Sequence, residues 1–271
     1  MQKEMISSLL ALSVSAGVAE ADEPGYSVEN NIRFGVHSEH LLDVFSPSTV
    51  SDDTPVLVFL FGGGFTRGST AQVLFVGESF AEAGVITVTP NYRIKTAFPT
   101  FIEDAAKAVG YVRANFKTSI GEPRPIVIGG WSAGAYIAGM VSYDERYLEA
   151  EGVPRDAISG FIGLAGRYLG GLCNGGQCPT VFTPETEGDW PIAQFVDAAD
   201  PPMLLVHGTK DVFVEIGSME TLAAAGKSAG LDVTILIAED RTHTQVRFDM
   251  EAPGTPVRAA TDAFIARVTS D

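Results

Sequence analysis

The stretch Val127-Ile128-Gly129-Gly130-Trp131-Ser132-Ala133-Gly134 sets a serine in a G-x-S-x-G frame, between an apolar run (125–130) and a small, apolar segment of helical character (132–143). In that setting the pattern is specific. The glycines fall where a strand must turn into a helix more tightly than side chains allow. The turn lifts the Ser132 hydroxyl above the sheet, beside a helix N-terminus that favours negative charge. A serine hydroxyl attacks poorly until a base takes its proton. The sequence offers four histidines. His37 and His40 fall in an N-terminal hairpin, ahead of the central strands. His207 ends a strand, where its ring is suited to bracing the next loop. His243 follows the last strand, on the rim expected for Ser132, and is the candidate general base. That base needs a carboxylate to hold one tautomer and to stabilise the imidazolium. Asp211, just past another strand end, is the candidate, with Glu239 and Asp240 competing because they lie close to His243 in sequence.

Phe59 to Ser69 reads FLFGGGFTRGS. Three consecutive glycines cost backbone entropy, so fixing them needs a reason. A tetrahedral acyl intermediate supplies one: its oxyanion requires backbone N–H donors at short range. Gly63, Gly64 and Ala133, the residue after Ser132, are the candidate oxyanion-hole donors.

These groups need a frame. Apolar runs bounded by turn residues predict strands at 31–36, 41–47, 55–61, 84–92, 125–130, 159–166, 201–208 and 232–240. Spacings of three and four predict helices at 101–116, 132–143, 218–230 and 256–268. Strands alternating with helices imply a mostly parallel sheet of eight strands with helices on both faces. Ligands in such sheets bind at the carboxyl ends of the strands.

The 271 residues carry a formal charge of −16, which argues against a nucleic-acid partner. After Lys3, Ile6 to Ala19 is uncharged and leads to Ala19-Glu20-Ala21. This reads as a signal peptide over 1–21, with a single domain over 22–271 and a periplasmic or secreted location. No segment is long and apolar enough for a stable membrane anchor. Cys173 and Cys178, close together with two glycines between, are a candidate disulfide. No nearby histidine or second cysteine pair completes a metal set.

Together these residues resemble the α/β-hydrolase superfamily, in particular the small H-G-G-G-type carboxylesterases, a group with hormone-sensitive-lipase-like and kynurenine-formamidase-like members. The resemblance runs from about Ile32 to the C-terminus, and the chain order Ser132, Asp211, His243 is the superfamily's order. Asn91, Tyr92, Arg93, Pro99 and Asp104 match a family segment that orders the loops around the site. Phe61 stands where the family usually has a histidine that braces the oxyanion loop; phenylalanine can only pack, so other contacts must hold that loop. The resemblance implies an α/β-hydrolase fold with a small lid, about 167–200. It also implies a serine carboxylesterase acting on short or medium esters, with no cofactor and no metal. An arylformamidase-type amidase and a catalytically weak ligand-binding homologue are the alternatives. The partner expected is a small-molecule ester; a monomer and a homodimer fit equally.

Overall fold

The computed structural model describes residues 25–170 and 180–270. The expected signal peptide and the Cys173–Cys178 pairing lie outside the described residues. Eight strands form one sheet in the order β1-β2-β4-β3-β5-β6-β7-β8. They are β1 (Tyr26–Arg33), β2 (Leu41–Pro47), β3 (Val56–Leu60), β4 (Ile86–Pro90), β5 (Ile126–Trp131), β6 (Ile158–Leu164), β7 (Met203–Gly208) and β8 (Val233–Ala238). The sheet is antiparallel from β1 through β2 to β4 and parallel from β4 to β8.

Strands β3, β4, β5 and β7 are buried along their whole length. Continuous apolar runs such as Val56–Leu60 therefore form strands without alternation, because helices cover both faces. On one face α1 (Leu74–Glu82) and α7 (Pro256–Thr269) meet. There the buried Arg258 stacks 3.8 Å over the Phe80 ring and donates to the carbonyls of Ser79 and Met250. The other face carries α2 (Thr100–Asn115), α3 (Ala133–Tyr143), the short α4 (Glu145–Ala150) and α5 (Ile216–Ala229). A last short helix, α6 (Gln245–Phe248), follows β8.

After β3 the chain steps to β4 on one side, and β5 then pairs with β3 on the other. The strand order thus reverses at β3 and β5, and a crevice opens at their carboxyl ends, where such sheets bind ligands. Gly62 to Gly64 leave β3 there and Ser132 leaves β5.

The first strand starts earlier than the hydrophobic pattern predicts, at Tyr26 and not residue 31. It is an exposed edge strand paired on one side only, so polar residues suffice, and its register breaks between Glu29 and Ile32. The described part of the 167–200 stretch packs on an aromatic cluster: Phe182 meets Phe65, Phe98, Phe101 and Tyr136 edge-on or tilted.

Asp104, fully buried on α2, ties two loops to that helix. Its carboxylate accepts from Arg93 Nη2 at 2.6 Å, from the Arg93 amide at 2.9 Å and from His40 Nε2 at 2.8 Å. Burial pushes this carboxyl up, but the bonds from Arg93 and His40 outweigh it and hold it below its ordinary value. Asp104→Asn should lower stability by about 2–4 kcal/mol, since Arg93 loses its partner. The deficit should be full above the ordinary carboxyl value of 3.8 and should shrink only as acid protonates wild-type Asp104 below it. Urea unfolding of both proteins from pH 7 to pH 3 checks this. A deficit that does not change with pH would remove the charge from the account.

Candidate active site

Strand β5 ends at Trp131 and α3 begins at Ala133, so Ser132 alone makes the turn, at φ 58° and ψ −118°. Non-glycine residues rarely hold this backbone, and such strain persists only where the surroundings enforce it. The Ser132 amide donates to Leu164 O of β6 at 2.9 Å, and its carbonyl accepts from Tyr136 at 3.2 Å. Gly134 completes the lock: a Cβ there would overlap the carbonyl oxygens of Leu60 and Phe61. The start of α3 therefore lies directly against the end of β3.

His243 and Asp211 converge on Ser132. His243 Nε2 is 2.9 Å from Ser132 Oγ, and His243 Nδ1 is 2.7 Å from Asp211 Oδ2. The other Asp211 oxygen accepts the amides of Phe213 at 2.8 Å and Val214 at 3.0 Å. Burial raises the Asp211 carboxyl, but the bonds from His243 and the two amides exceed that effect and hold it below the ordinary carboxylate value. Neither competing carboxylate reaches the site: Glu239 is exposed and Asp240 pairs with Lys210 at 2.9 Å. His207 is buried, and its Nε2 donates to Val214 O at 3.0 Å; burial lowers its affinity for a proton. It braces the loop that carries Asp211. His40 is taken up by Asp104 and His37 lies on the surface turn beside it.

Behind the base, Trp131 Nε1 donates to the His243 carbonyl at 2.8 Å. The Arg247 guanidinium lies 4.4 Å over the Trp131 ring, so the floor beneath His243 is an arginine–tryptophan stack.

Across the crevice, Gly63 takes φ 135° and Gly64 φ 60°. A Cβ on Gly63 would also run into the Arg67 carbonyl. Only glycine fits that position. The Gly63 carbonyl turns away to accept the amides of Thr66 and Arg67. The Gly63, Gly64 and Ala133 amides have no acceptor among the described residues, and all three residues line one cleft of about 390 Å³ with Ser132. Phe61, in the place of a bracing histidine, stacks on Tyr92 with ring centroids 4.2 Å apart, and Tyr92 Oη donates to the Phe61 carbonyl at 2.8 Å. The brace is thus supplied from the β4 loop. Phe65, Trp131, Phe213 and Val214 make the apolar walls of the cleft, while Arg67 and Arg167 add charge. Of the 167–200 stretch, Arg167 is the cleft residue among the described ones. The cleft's arginines and the Arg247 stack carry no sequence signature; each is an ordinary residue until the fold places it.

Tyr92→Phe should cost about 1–2 kcal/mol in urea unfolding, because the ring stack survives while the buried Phe61 carbonyl loses its donor. Tyr92→Leu, which removes the stack as well, should cost about 3–5 kcal/mol. Equal stability of Tyr92→Phe and wild type would mean that packing alone holds the loop.

The BD-FAE family model matches residues 42–156, a span that includes Gly63, Gly64 and Ser132 and stops before Asp211 and His243. A curated relative, the "Probable isoprenylcysteine alpha-carbonyl methylesterase ICME" of Oryza sativa subsp. japonica, is 26% identical over 90% of this chain. The chain spans 63% of that relative's length. Among solved structures, a truncated form of a carbohydrate esterase from gut microbiota superposes with a TM-score of 0.75 at 19% identity, covering 92% of this chain and 99% of that one. Thermogutta terrifontis esterase 2 phosphorylated by paraoxon superposes with a TM-score of 0.71 at 22% identity, over 90% of this chain and 95% of that one. A mostly parallel sheet that reverses at β3 and β5, a serine on the turn from β5 into α3 and these neighbours in fold show that the chain has the α/β-hydrolase fold.

Proposed function

We propose that the chain is a serine carboxylesterase whose nucleophile is Ser132. One observation carries the reading: the continuous relay from Ser132 Oγ through His243 to Asp211, at 2.9 and 2.7 Å, faces a cleft lined by three backbone amides with no acceptor among the described residues. Ser132 Oγ attacks the ester carbonyl while His243 Nε2 takes its proton. Asp211, already ionised, stabilises the imidazolium through Nδ1–H. The carbonyl oxygen, now negative, is held by the amides of Gly63, Gly64 and Ala133. His243 then protonates the leaving alcohol as the tetrahedral intermediate collapses to an acyl-enzyme. Water attacks this acyl group by the same steps in reverse roles, and Ser132 is regenerated.

The names of the relatives support ester hydrolysis: a methylesterase, a carbohydrate esterase, and an esterase phosphorylated by paraoxon. A cleft of about 390 Å³ with four apolar wall residues suits short or medium acyl groups. The uncharged run from Ile6 to Ala19 supports export to the periplasm or beyond.

The test is hydrolysis of p-nitrophenyl esters from acetate to decanoate, with N-formylkynurenine alongside. Ser132→Ala should lower kcat about 10⁵–10⁶-fold and Asp211→Asn about 10⁴-fold. Paraoxon should add one diethylphosphoryl group to wild type and none to Ser132→Ala, read by intact mass. Formamide turnover without ester turnover would move the chain to the amidases. A folded protein with no Ser132-dependent turnover of either would sink the enzyme reading.

A further inference from the structure

The chain holds 34 acidic and 18 basic side chains, so carboxylates are plentiful and an arginine finds one easily. Most of the partly buried arginines have done so: Arg93 with Asp104, Arg155 with Asp200, Arg241 with Asp249 and Arg258 with Asp262. Arg247, which has no carboxylate partner among the described residues, is sandwiched against Trp131, Phe75 and Phe248. Arg167 has neither arrangement. Among the described residues its side chain makes no ion pair, no hydrogen bond and no aromatic stack, although it is half-buried. Burial lowers its affinity for a proton, and Glu215 opposes this only from beyond ion-pair distance. Withdrawing a guanidinium from water without a partner is costly.

Its location suggests what offsets that cost. Arg167 follows β6 and lines the same cleft as Ser132, Gly63, Gly64 and Ala133. Arg67, exposed and likewise without an ion pair among the described residues, lines the cleft beside it. Among the described residues, no aspartate or glutamate lines this cleft. On a molecule of formal charge −16, a cleft whose charged lining among the described residues is two arginines, with the triad histidine, is a local reversal of sign. Such a cleft concentrates anions that the rest of the surface repels.

We infer that Arg167, with Arg67 at the mouth, is an anion-recognising subsite, and that the preferred substrate is an ester that itself carries a carboxylate. The planar guanidinium matches a carboxylate with two parallel N–H···O bonds, strongest where water is partly excluded. This inference rests on the serine-esterase reading and names its substrate class.

The experiment compares matched pairs at low salt. One pair places the charge on the acyl side, p-nitrophenyl hemiglutarate against p-nitrophenyl valerate. The other places it on the alcohol side, O-acetylglycolate against ethyl acetate. Wild type should favour the anionic member of at least one pair, and added salt should erode the preference. Arg167→Gln should lower that kcat/KM ratio about 10–100-fold, chiefly through KM, as expected for losing a charge-assisted bidentate contact. Arg167→Lys should keep part of the ratio, which a merely structural arginine would not require. No preference in either wild-type pair overturns the subsite, as does a ratio unchanged in Arg167→Gln whatever happens to the absolute rates. Neutral esters cleaved by wild type without preference overturn the subsite and leave the esterase reading standing; absence of Ser132-dependent turnover of all four compounds overturns both. Should Arg167→Gln fold poorly, wild type carries the test alone. Glutarate should inhibit neutral-ester hydrolysis competitively and glutaramide should not, and equal inhibition by the two overturns the subsite.

Discussion

The site depends on one backbone contact. Where α3 begins, its main chain lies against the carbonyls that end β3, a spacing that exists only because residue 134 has no side chain. That contact fixes the Ala133 amide relative to the loop of Gly63 and Gly64. Donors that stabilise a developing negative charge work only if they need no rearrangement as the charge appears. Three consecutive glycines are a poor starting material for such rigidity. Two contacts overcome their freedom: α3 presses from one side, and Tyr92 holds the Phe61 carbonyl from the other. The strained backbone of Ser132 belongs to the same arrangement, pinned by its amide to β6 and by its carbonyl to α3.

Two buried aspartates face the same desolvation problem and meet it differently. Asp104 is held by a permanent cation, Arg93, and does structural work across two loops. Asp211 has no arginine or lysine partner among the described residues; its charge is kept by two backbone amides and by His243. The difference suits their places. Amides do not titrate and carry no net charge, so Asp211 keeps its full negative field directed at His243 Nδ1. An arginine in the same position would neutralise that field and disfavour the imidazolium that proton transfer must create. The structural aspartate can afford a cation and the one beside the base cannot.

Much of this was legible in the sequence, for identifiable reasons. Continuous apolar runs gave the central strands to within two or three residues, because strands buried on both faces need no alternation and cannot be mistaken for amphipathic helix. The turn at Ser132 was legible because its glycines and its place between a strand and a helix are both required by the geometry. The edge strand β1 was misplaced because its Asn30 and Asn31 are poor strand formers, tolerated where one side faces water. Helix α1 was absent from the pattern because Gly77 interrupts it; in the fold that glycine makes room for the Phe45 ring. The brace that replaces the usual histidine was half legible: Phe61 announced that something else must hold the loop, but nothing local pointed to a tyrosine 31 residues away.

The arginines show why the remainder required the fold. By type and charge Arg167, Arg247 and Arg258 are identical, and neighbouring sequence does not separate them. Arg258 is buried with an aspartate, two carbonyls and a phenylalanine face, so its charge is spent inside the molecule joining α7 to α1. Arg247 is spent on three aromatic faces and stiffens the wall behind His243. Of the three, Arg167 is the one that lines the cleft and has no partner among the described residues. In an acidic chain, where an aspartate at almost any neighbouring position would have neutralised it, an arginine that lines the nucleophile's cleft without a partner among the described residues is better explained by what enters the cleft than by what holds the fold together.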